Sequence, residues 1–196
     1  MENRMLPLLL ASSSPYRREL LARLRLPFVC ASPDIDESHL PNEGAIELVR
    51  RLAEEKARAL AAAYPGHLII GSDQVAVLDG RILGKPHTFE RAREQLSAAS
   101  GSSVTFLTGL ALLNSSTGGC QVDHVPFTVH MRTLDQVGIE RYLRAEQPYD
   151  CAGSFKAEGL GVSLFRSTEG SDATSLVGLP LIRLVDMLIK EGVQVP

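Results

Sequence analysis

The chain reads as a mixed α/β fold, a sheet flanked by helices, and three observations predict it. Apolar strand-like runs alternate with helical periodicity from Leu6 to Ile70. Asp79-Gly80 separates two short apolar runs, 75–78 and 81–83, and marks a hairpin. Two long extended segments, 103–113 and 121–133, flank a turn-rich stretch at 114–119. Alternation early and hairpins in the middle fit a mixed sheet better than a purely parallel one.

Residues 6–11 form a buried strand that breaks into Ser12-Ser13-Ser14-Pro15. Helix 16–24 follows, with Leu20, Leu21 and Leu24 on one face. Residues 27–31 make a second strand, ending in the polar loop 32–37. Asn42 is the expected N-cap of a long helix reaching about Tyr64, where Pro65-Gly66 ends it. Ile46, Val49, Leu52, Ala53, Lys56, Ala57 and Leu60 recur at helical spacing and share its inner face. Strand 67–70 is interrupted by Gly71-Ser72-Asp73-Gln74 and resumes over 75–78. Thr88 caps a helix to about Ala99, residues 134–144 are helical, and 153–165 form a glycine-punctuated strand region. Residues 181–191 close the chain as an amphipathic helix.

Composition excludes several classes. The chain has 196 residues, 44% hydrophobic and 22% charged, so it can bury a substantial core and reads as one domain, 1–196. A net charge of −3 argues against wholesale nucleic-acid binding but permits a local cationic pocket. Cys30, Cys120 and Cys151 are odd in number and far apart, which fits neither a disulfide framework nor a zinc site. No run has transmembrane length and the N-terminus lacks a signal-peptide pattern, so the expected setting is cytoplasmic, away from membranes.

The strand-to-helix junction at Ser12-Ser13-Ser14-Pro15 aims backbone N–H groups and the positive helix end at one spot. Arg17 and Arg18 add forked donors there, so an anion is expected, a phosphorylated small molecule. The plainer reading is an ordinary N-cap followed by surface arginines. Asp73, at a break in an apolar strand, suits a metal ligand or general base; a simple Asx turn is the alternative. Lys56 lies on an apolar helix stripe, where an ammonium either snorkels outward or meets an acid or anion. Glu37 could share a divalent metal with Asp73, or lie in a merely solvated loop. Lys85, between Gly84 and Pro86, is a rigidly held cation or a surface turn residue. Together these residues supply what phosphoanhydride hydrolysis needs: two acids and several cations.

The same residues resemble the Maf-like nucleoside triphosphate pyrophosphatases, in the branch acting on 7-methyl-GTP. The likeness rests on Ala11-Ser12-Ser13-Ser14-Pro15-Tyr16-Arg17-Arg18, Asp36-Glu37, Glu55-Lys56-Ala57, Gly71-Ser72-Asp73-Gln74, Gly84-Lys85-Pro86 and Gly153-Ser154-Phe155-Lys156-Ala157-Glu158-Gly159. It extends to Leu176-Val177-Gly178-Leu179-Pro180, nearly the whole chain in order. The resemblance implies an elongated, twisted α/β sheet with two lobes around a central cleft, often assembled as a homodimer. It implies cleavage of a nucleoside triphosphate to a monophosphate and pyrophosphate with a divalent cation, Mg²⁺ or Mn²⁺. Asp73 is then the proton acceptor, with Ser12, Arg17, Arg18, Lys56 and Lys85 as the phosphate clamp. Glu37 and Asp73 form the metal neighbourhood.

Tyr16, Gln74 and Glu158 stand where the dTTP- and UTP-cleaving branch carries Arg, Thr and Gln. N7-methylated guanine is cationic, so an aromatic face at Tyr16 gains a cation–π attraction of roughly 0.5–2 kcal/mol. A Glu158 carboxylate could accept from the guanine N1–H and N2–H and offset the positive charge. The competing readings are a broader pyrophosphatase for inosine or other damaged triphosphates, and a non-catalytic nucleotide sensor acting in septum formation.

Overall fold

A computed structural model of the protein describes residues 6–195. Its seven-stranded sheet is mixed, as the sequence predicts. Strand β1 (Leu8–Ala11) sits between β2 (Phe28–Ala31) and β3 (Leu68–Leu78), parallel to both. β3, β5 (Ser103–Asn114), β6 (Cys120–Met131) and β7 (Phe165–Gly170) follow in order, each antiparallel to the last. The short β4 (Arg81–Leu83) folds back on β3 through Asp79 and Gly80, both at positive φ, as a tight hairpin turn requires.

The edge of β3 opposite β5 is shared. β1 covers Leu68 to Ile70 and β4 covers Ala76 to Leu78. Between them residues 71–75 have no strand partner on that edge among the described residues. The sheet is thus forked at the carboxyl end of β1, where open α/β sheets place their ligands.

Alternation along β3 assigns its faces. Leu68 and Ile70 enter one core with Leu8, Leu10, α1 (Pro15–Ala22) and α6 (Leu181–Lys190). Ala76 and Leu78, on the same face, enter a second core with Phe106, Phe155, α3 (Phe89–Ala99) and α4 (Gln136–Glu146). Ser72 and Gln74 occupy the seam between these cores. The opposite face, with Ile69 and Val75, packs on α2 (Ala45–Ala59). α2 lies so close that a Cβ on Gly71 would stand 2.0 Å from the Ala53 carbonyl oxygen, and one on Gly109 2.0 Å from that of Val49.

Several sequence expectations need correction. β3 is continuous: β5 pairs with every residue from Leu68 to Val77, so Gly71-Ser72-Asp73-Gln74 stays in the ladder. Helix α2 is capped by Gly44, because Asn42 adopts φ +62° in the preceding turn, and it ends at Ala59 rather than near Tyr64. Ile46 falls off the buried stripe at 38% exposure. Helix α1 ends at Ala22. Of the strand expected over 153–165 only Phe165 is strand: Gly153 and Ser154 take left-handed backbone, and two 3₁₀ turns, Ala152–Ser154 and Leu160–Leu164, precede β7. Neither β7 nor the short helix α5 (Ala173–Val177) was foreseen. The cap at Thr88 is as expected, its hydroxyl accepting from the Arg91 N–H. The three cysteines are free thiols.

Candidate active site

A cavity of about 700 Å³ opens where the sheet forks. One wall is the β1–α1 junction. Ser14 caps α1 by accepting from the Arg17 N–H, and Ser12 Oγ accepts from the Ser14 N–H at 3.1 Å. Ser12, Ser13 and Ser14 all line the cavity, so the positive end of α1 opens onto it.

Arg17 reaches in from the first turn of α1, and its Nε donates to the Gly178 carbonyl at 2.8 Å. Burial lowers its pKa, while the Asp73 and Glu37 carboxylates oppose that shift. The same carbonyl accepts from Ser72 Oγ at 3.0 Å, tying β3, α1 and the turn after α5 together. Gln74 turns its amide away from solvent. Its Nε2 donates to the Ser175 carbonyl at 2.8 Å, with Leu176 O at 3.2 Å and Thr108 Oγ1 at 3.0 Å completing its contacts.

On the other face of β3, Asp73 meets Lys56 from α2. Lys56 Nζ lies 2.7 Å from Asp73 Oδ1 and 3.0 Å from Glu37 Oε1. Both members of the inner pair are buried, Lys56 at 6% and Asp73 at 7% exposure. The lysine does not snorkel; it joins two acids delivered by a strand and a loop. Asp73 Oδ2 accepts no hydrogen bond among the described residues and is still reached by solvent, which leaves it open to the cavity. Lys85 lines the cavity from the turn after β4, exposed and without an ion pair among the described residues.

Tyr16 and Glu158 line the same cavity, the tyrosine half-buried and the glutamate exposed. Phe106 and Phe155 add aromatic wall to it, 5.2 Å apart between ring centroids. Arg18 is the exception among the expected ligands. It is exposed and lies outside the cavity lining, because its neighbour Arg17 takes the inward face of the helix turn. Sequence reasoning gave no role to Lys156, whose Nζ stands 5.7 Å from the Tyr16 ring centroid. It also passed over the Gly178 carbonyl, since an acceptor on the backbone carries no sequence signal.

Among the described residues, no group of three or more His, Cys, Asp and Glu is placed to hold a metal. The two carboxylates that Lys56 joins, Asp73 and Glu37, fit a different arrangement. Mg²⁺ takes one or two protein carboxylates and fills its shell with water and substrate phosphates.

The arrangement is a cavity lined by cations, hydroxyls and two carboxylates in an α/β scaffold, and the chain belongs to the Maf-like protein family, matching it over residues 7–191. It is 83% identical over 192 residues to the 7-methyl-GTP pyrophosphatase of Pseudomonas fluorescens strain Pf0-1, covering 98% of this chain and 100% of that one. It is 85% identical over 189 residues to the 7-methyl-GTP pyrophosphatase of Pseudomonas syringae pv. tomato, covering 96% and 98%. The Pseudomonas aeruginosa protein of that name is 76% identical over 189 residues, with coverage of 96% and 98%. Among solved structures, the Staphylococcus aureus Ham1 protein matches with a TM-score of 0.52 at 13% identity, covering 95% of this chain and 100% of that one. That likeness concerns the fold.

Proposed function

We propose that the chain hydrolyses 7-methyl-GTP to 7-methyl-GMP and pyrophosphate. The observation that carries this reading is one cavity lined by two chemically different sets of residues. Arg17, Lys56, Lys85, Asp73 and Glu37 suit phosphates and a cation, while Tyr16 and Glu158 suit a cationic base. Relatives named for this activity and more than 80% identical over their full length support it.

Water attacks the α-phosphorus and gives its proton to Asp73 Oδ2, the oxygen that Lys56 leaves open. Lys56 holds the carboxylate in place through Oδ1. The leaving pyrophosphate takes up negative charge, which Arg17, Lys56 and Lys85 offset, while Ser12 and the α1 terminus hold phosphate oxygens. Asp73 and Glu37 would hold a Mg²⁺ or Mn²⁺ ion, which supplies Lewis-acid polarisation of the phosphates when bound. Tyr16 stacks on the methylated ring and Glu158 faces its N–H edge. Gln74, with its amide committed to α5, is part of the cavity wall.

The test is pyrophosphate release over a panel of 7-methyl-GTP, GTP, UTP, dTTP and ITP with Mg²⁺ or Mn²⁺. A kcat/KM for 7-methyl-GTP well above the rest is expected. Equal rates across the panel overturn base readout, and release from none overturns catalysis. Sedimentation of the same preparation tests the homodimer that the family resemblance implies.

A further inference from the structure

Helix α4 ends on Glu146, a carboxylate at the negative end of a helix dipole, where a cation is the favourable residue. Its partners lie outside the helix. Glu146 Oε2 accepts from the Leu160 N–H at 2.6 Å, and Oε1 lies 3.5 Å from Lys156 Nζ. Gly159 backs onto it so closely that a Cβ there would stand 2.8 Å from Oε2. One turn earlier on α4, the Tyr142 hydroxyl accepts from the Lys156 N–H at 2.9 Å. The segment 156–160 is therefore pinned to α4 at both ends, and Glu158 stands in its middle facing the cavity. The Glu158 side chain has no hydrogen bond or ion pair of its own among the described residues.

Lys156 makes the second connection. Its ammonium stands beside the Tyr16 ring but does not line the cavity that the ring lines. The Tyr16 side chain raises its pKa first and Glu146 adds to the rise, against burial, so it stays a cation. A fixed cation beside Tyr16 opposes a cationic base on the same ring; a neutral guanine does not feel it in this way.

Building on the 7-methyl-GTP reading above, we propose that Glu146 is a positioning residue for base recognition. It holds the Leu160 flank of Glu158 and neutralises the Lys156 ammonium beside Tyr16. Losing its charge leaves Lys156 unbalanced next to the base and penalises the methylated, cationic ring selectively. Arg17, Lys56 and Asp73 make no hydrogen bond or ion pair with Glu146 or Lys156 among the described residues, so kcat is not the parameter that moves.

Steady-state kinetics on 7-methyl-GTP and GTP test this with Glu146→Gln, which keeps an acceptor for the Leu160 N–H. KM for 7-methyl-GTP rises about fivefold, the scale of one partly exposed ion pair, while KM for GTP and both kcat values stay within about twofold. Adding Lys156→Met to that variant removes the unbalanced charge and brings KM for 7-methyl-GTP back toward wild type. A merely structural role predicts equal losses on both substrates and no rescue by Lys156→Met; either result overturns the proposal. Glu158→Gln is the control. If it leaves the 7-methyl-GTP to GTP ratio unchanged, base readout itself fails, and Glu146 with it. If Glu158→Gln moves the ratio and Glu146→Gln does not, only the role of Glu146 fails.

Discussion

Asp73 combines two requirements that usually conflict: burial, and a carboxylate oxygen free for water. Lys56 reconciles them by taking Oδ1 and leaving Oδ2 to the cavity. Replacing Asp73 by Asn removes the proposed proton acceptor while keeping its shape, so kcat falls about 10³-fold and KM changes little. Near-normal kcat in a pyrophosphate-release assay takes Asp73 out of the mechanism. Lys56→Met leaves the Asp73 charge buried without its partner, which costs about 3 kcal/mol. Urea denaturation of that variant shows the loss as a lower midpoint. Arg17→Ala raises KM at least about tenfold through the lost charge-assisted contact, whereas Arg18→Ala changes it less than about twofold. Comparable losses from the two arginines place Arg18 in the site after all. Lys56 was conspicuous in the sequence because an ammonium on a leucine and alanine stripe either snorkels outward or meets an internal partner. Arg18 was not separable from Arg17, since adjacent residues on a helix start differ only in which way the turn faces.

The contact between α2 and β3 is what delivers Lys56 to Asp73. It depends on Gly71, where even one methyl group would meet the α2 backbone. Backbone cannot yield as a flexible side chain does, so Gly71→Ala displaces the helix and costs about 3 kcal/mol. Activity falls with it, because Lys56 moves off Asp73. Thermal denaturation and kcat measured together check this, and a variant as stable and active as wild type would contradict the close packing. Element existence was legible from periodicity, and both the Asp79-Gly80 hairpin and the Thr88 cap stand where turn and cap chemistry place them. The continuity of β3 was not. Polar residues inside an apolar strand look like an interruption until long-range pairing with β5 and the contacts of Ser72 and Gln74 to α5 account for them. The strand expected over 153–165 failed for the converse reason, a left-handed backbone at Gly153 and Ser154 that apolar patterning does not reveal.

The molecule as a whole holds its loop 32–44 against α2 through the Lys56–Glu37 pair and a second clamp at Arg51. Arg51 donates to both Glu43 oxygens, with Nη2 at 2.8 Å from Oε2, and Nη2 also donates to the Ser38 carbonyl at 3.0 Å. That loop carries Glu37 to the cavity. The bond from Arg51 lowers the Glu43 pKa from 4.5 to about 2, with smaller help from the Leu40 N–H. A carboxyl lowered by folding contributes stability above its unfolded value of 4.5, and that contribution is lost as pH falls toward about 2. Glu43→Gln removes the dependence. The melting temperature of wild type should fall more steeply than that of the variant on acidification below 4.5. Parallel curves would show that the clamp does not titrate with folding. Among the described residues no helix is long and apolar enough to cross a membrane, which agrees with the absence of a long apolar run.

From the linear chain came the mixed α/β class, most element positions, the family, and a set of candidate site residues of which all but Arg18 line the cavity, because periodicity, caps and short motifs are local properties. Which of two adjacent arginines turns inward, how Gln74 spends its amide, and what stands behind Tyr16 came from the folded chain alone. Those depend on contacts between residues more than a hundred positions apart, such as Arg17 with Gly178 and Lys156 with Tyr16, and no local pattern encodes them.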